Sequence, residues 1–134
     1  MTNRENTKIL RLVTACFLNN GITNVITTDQ QAEALAEFIL EKFMVSINSK
    51  RLLGKTTSEI TEVITKHLSV SEFVKRVFQE RSINTVSADN SPSVAYELVR
   101  HYPQLTGHLE NHEVSGKDAD GVITMLLEKL GLQI

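Results

Sequence analysis

Apolar residues recur along this chain at steps of three and four, from Ile9 to Leu130, and no alternating apolar and polar run is long enough for a convincing strand. Such a rhythm places side chains on one face of an α-helix, so each stripe needs another helix to cover it. The expected fold is all-α: a compact bundle of about five to seven short helices around one core, in a single domain over residues 1–134. Strand ambiguity is confined to "GITNVITT", and no internal repeat is legible.

Cap signals divide the stripes. A first helix runs from about Arg4 to Asn19 with Ile9, Val13, Cys16 and Phe17 inward, and Gly21 ends it. Thr28 and Gln31 have capping-box spacing and open a second helix, which buries Ala32, Leu35, Ala36, Ile39 and Phe43 and reaches Val45 or Ile47. Gly54, suited to the left-handed conformation, closes a connector. Thr56 and Glu59 then repeat the box ahead of Ile60, Val63, Ile64 and Leu68. Ser71 caps a separate fourth helix, with Val70, Phe73, Val74, Val77 and Phe78 spaced by three and four.

Residues 82–91 read as a long polar loop, well beyond the usual ~4–6 residues and suited to a mobile or partner-shaped segment. Ser91 and Pro92 fit an N-cap and first helical position. The helix they open carries Val94, Ala95, Leu98, Val99 and Tyr102, and Pro103 stops it. "QLTGHLENH" is a short helical segment weakened by Gly107, with Leu105 and Leu109 inward. The last helix buries Val122, Ile123, Leu126, Leu127 and Leu130 before Gly131.

Composition narrows the classes. Hydrophobic residues make up 41% and charged residues 22%, with two prolines and six glycines, which is ordinary for a globular chain. Trp is absent, so Leu, Ile and Val must fill the core. A single Cys16 forms no internal disulfide, no leader-like segment is legible, and no apolar run approaches the ~18 residues of a membrane span; a cytoplasmic location is expected. The formal net charge of -2 argues against nucleic-acid binding by the surface as a whole. Its distribution is uneven, however: Lys and Arg outnumber Asp and Glu by seven to four over residues 50–81, and are outnumbered three to seven after residue 81.

The basic block coincides with "ITKHLSVSEFVKRV", which resembles a helix-turn-helix in its apolar spacing and its Ser-capped second helix. In that reading Lys75, Arg76 and Gln79 face the nucleic acid together. Two departures stand against it: Ser69 occupies the turn position where glycine is common, and the apolar residues after Ser71 fall one step early.

Three histidines lie in "HYPQLTGHLENHE". His108 and His112 are spaced to share a helical face and chelate a transition metal, with His101 and Glu113 able to complete the site; the competing reading is a pair of half-buried histidines at a packed edge. "GKTT" lacks the first glycine of a phosphate loop, and "DADG" lacks the ligand positions of a calcium loop, so both read as turn and cap chemistry. Cys16 belongs to an apolar stripe, and no Ser, His and acid grouping has a local signature. The pattern points to a non-enzymatic protein-interaction module without a cofactor, a small regulator, adaptor or immunity-type protein that binds a partner protein or itself. The alternative is a helix-turn-helix-like DNA-binding regulator using residues 57–81.

Overall fold

The computed structural model describes residues 3–132. Among them are six α-helices: α1 (Asn3–Asn19), α2 (Asp29–Phe43), α3 (Thr57–Glu80), α4 (Ser91–His101), α5 (Asn111–Val114) and α6 (Ala119–Lys129). Two 3-10 turns, Ser49–Leu52 and Pro103–Leu105, join them, and the described residues contain no strand, only an isolated bridge between Thr85 and Asp118. The fold is all-α, as the periodicity requires, and "GITNVITT" is irregular. No helix among the described residues is long and apolar enough to cross a membrane.

The cap chemistry is local and reads directly from the side chains. Thr28 Oγ1 accepts from Gln31 N–H at 3.1 Å, and Gln31 returns by accepting from Thr27 N–H at 2.9 Å. At Thr56 and Glu59 the exchange is reciprocal: Glu59 N–H donates to Thr56 Oγ1 at 3.2 Å and Thr56 N–H to Glu59 Oε1 at 3.1 Å, and this backbone donation, followed by the Thr56 side chain, holds the Glu59 carboxyl below its ordinary pKa. Helix α1 ends in a Schellman turn: Gly21 is left-handed, and Ile22 N–H reaches Phe17 O at 2.9 Å. Helix α2 stops earlier than the pattern suggests. Met44 adopts φ 58° directly after Phe43, leaving Val45 and Ile47 buried but outside the helix.

Two expectations are overturned. The helices expected on either side of Ser69 are one helix, because α3 runs unbroken from Thr57 to Glu80. No Gly or Pro interrupts that span, and a serine in a helix interior costs only about half a kcal/mol relative to alanine. Nothing local therefore forces Ser71 into the extended conformation an N-cap needs.

In place of one core, the buried side chains form two clusters. The chain divides between Ser69 and Val70 into two compact units. Unit 1 packs α1, α2 and the Ser49–Leu52 turn with Ile60 and Ile64 of α3; unit 2, Val70–Leu132, packs Val70, Val74, Val77 and Phe78 of α3 with α4, α5 and α6.

The two units share one plan, so the absence of an internal repeat is also corrected. Ile9, Val13, Cys16, Phe17 and Ile22 correspond in order to Val70, Val74, Val77, Phe78 and Ile83, every one buried or packed on a core. Gly21 and Ser82 are the matching left-handed stops, and Ile83 N–H bonds Phe78 O at 3.1 Å as Ile22 does Phe17. On α2 and α4, Ala32, Leu35, Ala36, Ile39 and Phe43 correspond to Ser91, Val94, Ala95, Leu98 and Tyr102.

A buried residue in each intervening loop clips the chain to the segment before the unit's last helical stretch. Ile26 N–H donates to Lys55 O (3.2 Å) and Ile26 O accepts from Gly54 N–H (2.7 Å); Val86 makes the same pair with Lys117 O (2.9 Å) and Gly116 N–H (2.6 Å). Gly54-Lys55-Thr56 thus matches Gly116-Lys117-Asp118, the last residue of each acting as a cap, and Ile60, Ile64 and Leu68 match Val122, Leu126 and Leu130. The loop at 82–91 is consequently anchored at its centre, with Val86 fully buried.

Ser82 holds a left-handed backbone without being glycine, whereas its counterpart is Gly21. Ser82→Gly should raise stability by about 0.5–1 kcal/mol, the left-handed cost less the added freedom of the unfolded chain. Leu98→Ala, by contrast, should cost about 2–5 kcal/mol. Urea titrations of both variants measure this, and a destabilised Ser82→Gly would refute the correspondence with Gly21.

Candidate interaction groove

Within unit 2 the second half of α3 and helix α4 leave an open groove of about 420 Å³. Phe73, Arg76, Val77 and Glu80 line it from α3, and Glu97, Arg100 and His101 from α4. Phe73 and Val77 form its floor because they edge the buried stripe, and the charged residues flank that stripe one turn apart. The Phe73 ring stacks on His101 at 3.9 Å and 11°, and meets Tyr102 edge-on at 5.6 Å. Arg76 lies over the same ring, its Cζ 5.6 Å from the centroid, and no ion pair among the described residues engages it.

Across the groove Glu97 Oε1 stands 3.9 Å from Arg81 and 4.0 Å from Arg100, loose pairs that contribute little. Arg81 also donates to Ser93 Oγ at 3.1 and 3.3 Å. Tyr96, 65% exposed, stands one turn before Arg100. Among the described residues no buried side-chain polar atom lacks a partner.

Lys75, Arg76 and Gln79 are all exposed and off the apolar stripe, and of the three only Arg76 lines the groove. The turn on which the DNA-reading geometry depended is absent, since all three project from one continuous helix. What the pattern of one helix could not show is the partnership across helices: Phe73 with His101, and Arg76 facing Arg100. Their spacing within each helix was visible, but the register between α3 and α4 was not.

The histidines do not converge as their spacing suggests. His108 lies in the turn before α5 and His112 on α5, separated by extended Glu110, the N-cap of α5, so no helical face carries both. His101 is held in the stack with Phe73. Glu113, the fourth candidate ligand, accepts from Glu110 N–H at 2.8 Å and pairs with Lys129 Nζ at 2.7 Å. Among the described residues no group of three or more metal-ligating side chains comes together. Cys16 is buried on its stripe. Burial pushes its thiol pKa up, against a smaller opposing effect of the Asn20 amide at 3.5 Å.

No family model matches the chain, and no curated protein or solved structure matches it.

The bond from Lys129, with that from Glu110 N–H, holds the Glu113 carboxyl below its usual range. A depressed folded-state pKa gives stability that is present above the unfolded value and is lost as pH falls through the folded one. Glu113→Gln should therefore lower Tm at neutral pH, with the deficit closing as pH drops below the ordinary glutamate value of about 4.3. Thermal melts of wild type and variant across this range check it; a deficit that persists unchanged in acid would show the contribution is not ionic.

Proposed function

We propose that the chain is a non-enzymatic protein-interaction module, a small regulator or adaptor, and that the α3–α4 groove receives an acidic segment of a partner protein. The observation that carries this is the composition of the groove: Arg76 without a carboxylate partner, Arg100 only loosely paired, and an aromatic floor with Tyr96 exposed beside it. Arginine and tyrosine over a packed aromatic base are the residue types on which binding energy concentrates at protein interfaces. Glu80 and Glu97 interrupt the cations, which disfavours a phosphate backbone that draws on continuous positive charge. A protein segment with spaced carboxylates and one apolar side chain meets such a mixed surface better.

The test compares probes directly. A fluorescein-labelled peptide alternating Glu and Phe should bind with an anisotropy change that Arg76→Glu with Arg100→Glu removes, while duplex DNA at low salt should not be retarded in a gel. Salt-sensitive retardation of DNA that is lost in Lys75→Ala with Arg76→Ala would replace this reading with a nucleic-acid one.

A further inference from the structure

The internal repeat extends from the cores to the surface. Unit 1 has its own groove, of about 330 Å³, between α1 and α2, and it occupies the equivalent place. Leu12, Ala15, Cys16 and Asn19 line it where Phe73, Arg76, Val77 and Glu80 line the groove of unit 2. From the opposite wall, Phe38 and Glu41 stand where Glu97 and Arg100 stand. The same architectural slot is thus built twice, with its charge changed: Glu41 replaces Arg100, Ala15 replaces Arg76, and Glu37 adds a second carboxylate.

Helix α2, which lines the unit 1 groove with Glu37 and Glu41, carries like charge and exposed apolar surface along its edge. Glu33, Glu37 and Glu41 follow one another at single-turn spacing on α2, all exposed and none in an ion pair among the described residues, an arrangement in which like charges repel. Beside them Leu40 is 50% and Met44 84% exposed, and Met44 holds a left-handed backbone that a non-glycine residue adopts only under strain. The other groove offers the opposite sign at its two walls: Arg76, outside every ion pair among the described residues, and Arg100, held only loosely by Glu97 at 4.0 Å, with Lys75 and the exposed ring of Tyr96 on the same two helices outside its lining.

We propose that the occupant of the α3–α4 groove is a second copy of this chain, whose α2 edge presents Glu37 and Glu41 to Arg76 and Arg100 and lays Leu40 and Met44 against the aromatic side. The proposal rests on the protein-interaction reading above and names the partner. Charge complementarity selects this occupant: equivalent slots of one molecule display Glu37 and Glu41 outside any ion pair among the described residues, and Arg76 unpaired with Arg100 only loosely paired.

Sedimentation equilibrium of the full chain tests it. The wild type should self-associate, less so as salt rises. Glu37→Lys with Glu41→Lys sets lysines against Arg76 and Arg100, and Arg76→Glu with Arg100→Glu sets glutamates against Glu37 and Glu41. Each variant alone should weaken association on the order of 100-fold or more, and an equimolar mixture of the two should restore it. Circular dichroism melts confirm that each variant is folded, and the neutral pair Glu37→Gln with Glu41→Gln, free of added repulsion, should weaken association less.

A wild type that stays monomeric, association that ignores both double changes, or a mixture that fails to recover would each overturn the proposal. In the monomeric case, retained binding of the acidic peptide through Arg76 and Arg100 leaves the protein-interaction reading standing with a different partner. Loss of that binding as well removes both.

Discussion

Each unit is closed by the hydrogen bonds of one buried residue's main chain. Ile26 and Val86 lie in loops, yet their side chains are fully buried, so the amide and carbonyl of each must find partners away from water. Each finds them in a Gly-Lys step just ahead of a helix cap, and this ties the loop after one helix to the start of another far along the chain. A cap read alone fixes where a helix begins; the clip fixes which loop that beginning lies beside. Glycine at positions 54 and 116 takes the positive φ that brings its N–H round to the buried carbonyl.

What the sequence made legible was whatever depends on neighbours a few residues apart. The boxes at Thr28–Gln31 and Thr56–Glu59, the stops at Gly21 and Gly131, and the inward stripes of α1, α2, α4 and α6 all formed where the residues placed them. Ser71 misled because its capping potential is real but optional, and a helix already growing through it satisfies the backbone more fully. His108 and His112 misled for the opposite reason. Their spacing presupposed one helix across both, whereas α5 starts between them at extended Glu110.

The repeat escaped notice because its equivalences are physical rather than chemical. Ala32 with Ser91, Thr56 with Asp118 and Cys16 with Val77 share a burial state or a hydrogen-bonding role but not an identity, and connectors of unequal length shift the spacing from one element to the next. Selection on packing preserves volume and polarity class at buried sites. Exposed sites carry no such constraint, and there the units differ most: Leu18 against Gln79, Met44 against Pro103, Glu41 against Arg100. Shared cores with contrasting surfaces leave the candidate function on the residues that differ, which is why the grooves, and not the stripes, repaid comparison.

Helix α3 serves both units without a break, its first half completing one core and its second half opening the other. Starting a helix from coil is unfavourable by a factor of about 10⁻³, roughly 4 kcal/mol, whereas lengthening one is nearly neutral. Whichever unit folds first therefore leaves the other an existing helix end to grow from. Ser69 and Val70, the residues at the boundary, act in this sense as a transmission point: a proline there would oblige each half to initiate its helix alone, and the two units would lose the means by which the order of one promotes the order of the other.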